Sequence, residues 1–200
     1  ADEGDEASLL RHCREADGST CAQYAPQSGN ILIIKLGAIG DVIRTTPLLR
    51  KFAEVFPSHR IWWLTLTPEV IPASVDVVLP FTPQSLATLA ALHFDLVINL
   101  DKDREACALT STVRADRKKG FILVDGKPAP IDRDAEQKFL TGVFDDLSRE
   151  NRQNYLQEIF AICGFTFGGE EYILDNHAAD GYRWKLPRRK LIVGLNTGCG

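Results

Sequence analysis

From residue 30 onward, short apolar runs alternate with stretches in which apolar residues recur every three or four positions. Ile31, Leu32, Ile33 and Ile34 are four consecutive β-favouring residues, the pattern of a strand buried on both faces, which predicts a strand over 31–36. A helix is expected over 46–56, then strands over 60–65 and 75–81, a helix over 83–93, a strand over 94–100, a helix over 105–114 and a strand over 119–124. A turn follows at Asp125, Gly126, Lys127 and Pro128. Tyr155, Leu156, Ile159, Phe160 and Ile162 then stand at helical offsets within 151–163, with Gly164 as the closing residue. Strand and helix in strict turn imply right-handed crossovers and an α/β domain, a Rossmann-like parallel sheet with helices on both faces.

Flanking this unit the pattern changes. Residues 1–29 are polar and without sustained periodicity, which reads as a leader, and residues 168–189 are again polar, which reads as a domain boundary. An apolar run at 191–195 and the small-residue loop 196–200 (NTGCG) then look like the start of a second strand-and-loop unit. The expected division is a leader over 1–29, a domain over 30–186, and over 187–200 a linker with the first strand and loop of another domain.

Pro47 interrupts the first helical stretch, because proline inside a helix sacrifices a hydrogen bond and clashes with the preceding turn. Either Thr46 caps a helix that has Pro47 in its first position, or the helix begins near Asp41 and kinks at the proline. Both alternatives keep Asp41 near the carboxyl end of the first strand, where open α/β sheets place their ligands. Gly37 and Gly40 precede it, and glycine lets the backbone turn sharply and approach a ligand closely. An aspartate at that place serves either a ligand or the helix itself, as a cap or a partner for its dipole. A dinucleotide site is not expected, since the spacing Gly37-x-x-Gly40 departs from G-x-G-x-x-G and no carboxylate closes the second strand.

The run over 35–49 (KLGAIGDVIRTTPLL) resembles the amino-terminal signature of glycosyltransferase family 9, the ADP-heptose:lipopolysaccharide heptosyltransferases. The matching residues are Lys35, Gly40, Asp41, Val42, Thr45, Thr46, Pro47, Leu48 and Leu49, and 191–200 (LIVGLNTGCG) resembles the strand and loop that open the second domain of those enzymes. The resemblance implies the amino-terminal half of a GT-B fold and an inverting transfer of heptose from ADP-heptose to a lipopolysaccharide inner-core acceptor. It gives Asp41 the role of base, with Gly37 and Gly40 beside it on the acceptor side, and sets Thr197, Gly198 and Gly200 against the donor diphosphate. Lys35, Asp101 and Lys102, at the ends of the first and fourth strands, stand on the same acceptor-side rim, where each either meets the acceptor or is an ordinary surface residue at a strand end. No cofactor or obligatory metal is implied. Asp101 and Asp103 have D-x-D spacing but follow a first-domain strand, on the acceptor side. Since most of a second domain is missing from the sequence, the chain is expected to be part of a longer enzyme and inactive alone. The alternative is a non-catalytic carbohydrate-binding module of the same fold.

Composition narrows the partners. With 44% hydrophobic and 25% charged residues the chain is ordinary globular protein, and its formal charge of −4 argues against general nucleic-acid binding. No apolar run approaches the roughly 20 residues that span a bilayer, and the amino terminus is acidic, so the expected location is the cytoplasm; the resemblance implies an acceptor met at the inner membrane surface. The odd set of five cysteines lacks paired short spacings, so reduced thiols are expected. Cys107 and Cys163 stand in apolar helical patterns as small buried hydrophobes, while His12, Cys13 and Cys21 are three candidate ligands, one short of a structural zinc site.

Overall fold

The computed structural model describes residues 28–175 together with Leu191 and Val193. The leader, His12, Cys13, Cys21 and the expected donor loop with Thr197, Gly198 and Gly200 lie outside the described residues. Six strands form one sheet in the order β3-β2-β1-β4-β5-β6: β1 Gly29–Ile34, β2 His59–Thr65, β3 Val77–Pro80, β4 His93–Asn99, β5 Arg114–Val124 and β6 Lys127–Pro130. The first five are parallel neighbours, which bears out the Rossmann-like α/β reading. In β1 the alternation of side chains divides the interior. Ile31 and Ile33 join the cluster that holds Val42, Phe52 and Phe160, whereas Leu32 and Ile34 join the one that holds Leu89, Ala106 and Leu109. A strand covered on both faces has no polar positions to spare, which is why its sequence is an unbroken apolar run.

The helices are α1 Ile39–Thr45, α2 Leu48–Val55, α3 Pro83–Ala91, α4 Arg104–Thr112, α5 Arg133–Thr141, α6 Asp145–Glu150 and α7 Tyr155–Ile162. The break at Pro47 follows the second of the two alternatives, with the helix starting even earlier, at Ile39. Thr45 and Thr46 hydroxyls donate to the carbonyls of Asp41 at 2.8 Å and Ile43 at 2.9 Å, a back-bonding that bends helices, and Pro47 has no N–H with which to continue the ladder.

The sheet departs from an all-parallel one at its edge. β6 runs antiparallel to β5, pairing Val124 with Lys127 and Phe121 with Pro130. Asp125 at φ 49° and Gly126 at φ 75° form the two-residue hairpin turn that Asp-Gly favours, and the prolines are tolerated because an edge strand has one unpaired side. β5 also begins five residues before its expected start. Its first half is charged because β6 covers only Phe121 to Val124, which leaves Arg114 to Lys118 on an edge where charge prevents mispairing.

Candidate functional site

Strand order reverses between β1 and β4, so their carboxyl ends open a crevice at a topological switch point. From the end of β1 comes Lys35 and from the end of β4 comes Asp101, 4% and 6% exposed. The Lys35 ammonium donates to Asp101 Oδ1 and to the Gly37 carbonyl, while Asp101 Oδ2 accepts from the Leu36 N–H. Asn99 fixes this arrangement from beneath. Fully buried, it accepts from the Asp101 N–H at 2.9 Å and donates to the Phe121 carbonyl at 2.9 Å, so it ties the end of β4 to β5. Gly120, at φ 91°, is what lets β5 come so close, since a Cβ there would overlap the Asn99 carbonyl. Burial raises the Asp101 carboxyl above the ordinary carboxylate range, with the attraction of Lys35 opposing it. Burial likewise pushes the Cys107 thiol beside Asn99 up to about 11, so it stays protonated and inert.

Asp41 stands in the first turn of α1, directly above the end of β1. The cap position belongs to Ala38 and the Asp41 side chain makes no capping bond, so of the two helix roles the fold leaves Asp41 that of an acidic group in the first turn, favourable to the dipole. Instead Oδ1 accepts from Arg44 Nη1 at 3.2 Å, and the side chain remains 37% exposed, open to a solute. Gly37 and Gly40 are not needed for a sharp turn, because neither has positive φ. A Cβ on either would meet nothing within 4 Å, so what they leave is an open approach to the backbone beside Asp41.

Lys102 follows Asp101 and extends to the Lys138 carbonyl at 3.4 Å. Burial lowers its pKa, and the neighbouring Lys138 charge lowers it further. Among the described residues no carboxylate lies within ion-pair distance of it. Gly142 leaves room for this ammonium, which a Cβ there would strike. Lys138 pairs with the buried Glu158 at 2.6 Å, and Asn151 donates to the other Glu158 oxygen at 2.9 Å. The structure thus brings Lys35, Gly37, Gly40, Asp41, Asp101 and Lys102 to one end of the sheet.

Four further groups were not among the expected site residues: Arg44, Lys138, Tyr155 and Glu158. Arg44 was legible, three residues after Asp41 on a helix and hence on the same face. Tyr155 was not, since in sequence it is one more apolar position of α7. In the fold its ring lies under the Arg44 guanidinium, 3.9 Å from carbon to centroid, and Lys138 Nζ is 4.9 Å from the same centroid. Burial raises the Tyr155 phenol well above its usual range, and the Asp41 charge adds to that.

Asp103 is exposed and both Asp101 oxygens are engaged, so the D-x-D spacing does not produce a pair of free carboxylates. Among the described residues no group of three His, Cys, Asp or Glu side chains is placed to hold a metal ion. Cys107 and Cys163 are buried and free, as expected. Cavities of about 540 Å³, between α2 and the start of β2, and about 390 Å³, between α5 and α6, lie away from Asp41 and gather no comparable chemistry. No described helix is long and apolar enough to cross a membrane.

No protein-family model matches the chain, and no curated protein matches its sequence. Solved structures similar to it include the E. coli heptosyltransferase WaaC with ADP, at 22% identity and a TM-score of 0.39, over 46% of this chain and 34% of that one. The same enzyme with ADP-2-deoxy-2-fluoro heptose matches at 20% identity and a TM-score of 0.39, over 46% and 36%. A glycosyl transferase family 9 protein from Veillonella parvula matches at 22% identity and a TM-score of 0.40, over 47% and 32%. The chain spans about a third of the length of these structures.

Proposed function

We propose that this chain is the acceptor-side, amino-terminal half of an inverting GT-B glycosyltransferase that moves heptose from ADP-heptose to a lipopolysaccharide inner-core acceptor in the cytoplasm, at the inner membrane surface. The observation that carries the proposal is the placement of Asp41. It is half-exposed at the switch-point crevice, is not used as a helix cap, and belongs to the stretch whose residues resemble the family signature. In the reaction the acceptor oxygen attacks the anomeric carbon from the face opposite the diphosphate. As that C–O bond forms, the hydroxyl proton passes to Asp41, while the bond from the anomeric carbon to the phosphate oxygen breaks and the electron pair leaves with the diphosphate. The attack inverts the anomeric centre.

The surroundings have separate tasks in this proposal. Lys35 is committed to Asp101 and the Gly37 carbonyl, so it shapes the floor of the crevice and holds the loop before α1. Lys102 has no carboxylate partner among the described residues, and it is the cation suited to an anionic group on the acceptor. The bare backbone at Gly37 and Gly40 admits the sugar close to Asp41. Donor contacts at Thr197, Gly198 and Gly200 stay part of the proposal on the resemblance alone, as does transfer without an obligatory metal.

The test is substitution of Asp41 in the intact protein. Asp41→Asn and Asp41→Ala should lower transfer by roughly 10²–10⁴-fold, the usual worth of general-base assistance, with donor affinity nearly unchanged. Turnover within a few-fold of the parent would take Asp41 out of the chemistry. Sugar binding by the intact protein with no transfer under any donor would favour a carbohydrate-binding module instead.

A further inference from the structure

We propose that Arg44 and Tyr155 are positioning residues for Asp41: the Tyr155 ring holds the Arg44 guanidinium, and Arg44 in turn holds one carboxylate oxygen so that the other faces the acceptor hydroxyl. This rests on the reading of Asp41 as the base and adds to it the residues that aim it. An exposed ion pair three residues apart on a helix is ordinarily weak and mobile, because two long side chains must be ordered against solvent. Here the guanidinium has a second fixed point. It lies 3.9 Å from the centroid of the Tyr155 ring, the geometry of a cation–π contact, while Nη1 donates to Asp41 Oδ1 at 3.2 Å.

The ring is itself fixed. Tyr155 opens α7, where Asn154 and Gln157 form a reciprocal capping box, and the adjoining face of that helix is anchored in the core by Ile159 and Phe160. Lys138 approaches the same ring at 4.9 Å and is held by the buried Glu158 at 2.6 Å. A chain of contacts therefore runs from the core of α7 through the ring and the guanidinium to Asp41 Oδ1. Oδ2 has no hydrogen-bond partner among the described residues. Arg44 is always protonated and acts only as a donor, so it can hold Oδ1 both before and after Oδ2 receives the proton.

The experiment uses the intact protein and reads kcat, KM for each substrate, and Tm. Asp41→Asn is measured first, and a wild-type turnover there takes Asp41 out of the chemistry and overturns this inference with it. With Asp41→Asn inactive, Arg44→Gln and Tyr155→Leu should each lower kcat roughly ten- to a hundredfold through misplacement of the base, with both KM values nearly unchanged. Arg44→Lys and Tyr155→Phe should each restore a large part of that loss, since they keep the charge and the ring. The double variant Arg44→Gln/Tyr155→Leu should fall no further than the worse single one, because both act through one contact. An increase in acceptor KM with unchanged kcat in Arg44→Gln would make Arg44 a substrate contact and overturn the inference while leaving Asp41 as base. So would losses that multiply in the double variant. The contact has a readout without turnover: ring-current displacement of the Arg44 side-chain proton resonances in the 200-residue chain, lost in Tyr155→Leu. Its absence from the parent chain would also overturn the inference, even if Tyr155→Leu fails to fold.

Discussion

Asp101 is the residue on which most of the crevice floor depends. It receives the Lys35 ammonium and the Leu36 N–H, and its own N–H is held by Asn99. Removing one partner of a buried pair leaves the other charge without compensation, so Asp101→Asn should cost about 3–5 kcal/mol, read from urea unfolding. The pH dependence has a definite sign. Burial raises the folded-state pKa of Asp101 above its unfolded value, so the folded chain holds that proton more tightly. The contribution of this group to stability is then fully present below the unfolded pKa and is lost as pH rises through the folded one. Stability of the parent relative to Asp101→Asn should accordingly decline as pH increases across that window. An advantage of the parent that grows with pH would show that attraction to Lys35 outweighs burial.

Among the elements, α7 is the one that completes the site without belonging to the strand-helix alternation that builds the sheet. It brings Tyr155 and Glu158 to the crevice from far along the chain, and it is short, so its first turn matters. Asn154 accepts from the Gln157 N–H at 2.9 Å, and the Gln157 side chain accepts from the Asn154 N–H at 2.9 Å. Replacing such a cap costs about 1 kcal/mol, which for a domain of this size is a fall in Tm of about 2–4 °C. Asn154→Ala should show that fall in a thermal scan. Gln157→Ala added to it should cost less than it does alone, because the two bonds are reciprocal. Full additivity would mean that the box does not act as a unit. The break between α1 and α2 has a use at this scale as well: the buried Thr46 hydroxyl accepts from the Ile173 N–H at 3.0 Å, and Arg50 Nε reaches the Glu171 carbonyl at 2.9 Å. Residues 171–173 are thereby held against α2.

At the scale of the molecule, the described residues gather Asp41, Lys35 and Lys102 along one crevice at the carboxyl end of the sheet, and the proposed function makes Asp41 the base. A transfer reaction needs both reactants in a near-attack arrangement, and in the proposed function the nucleotide sugar rests chiefly on a second domain. The 200-residue chain by itself should therefore transfer no sugar and bind ADP-heptose weakly if at all. Calorimetry finding a micromolar Kd for this chain alone would contradict the assignment of donor binding to another domain. It would also direct attention to Lys102, which has no carboxylate within ion-pair distance among the described residues.

The sequence by itself determined the strand-helix alternation, the central apolar strand and the placement of Asp41 after it. Each of these is a local pattern: an unbroken apolar run is what a strand covered on both faces requires, and Gly164, at φ 81°, closes α7 where its own conformational freedom predicts. The hairpin of β5 and β6 carried a local signal too, in Asp125 and Gly126, but the prolines after it and the charges before it suggest a loop until one knows that this is the sheet edge. Only the tertiary structure decided that Lys35 and Asp101 form a buried pair, that Asn99 joins β4 to β5, and that a tyrosine at a helical apolar position lies beneath Arg44. These are contacts between residues distant in the chain, set by sheet order and by how α7 packs on α1. A residue's local period says whether its side chain faces inward, and the packing of other elements says what it meets there.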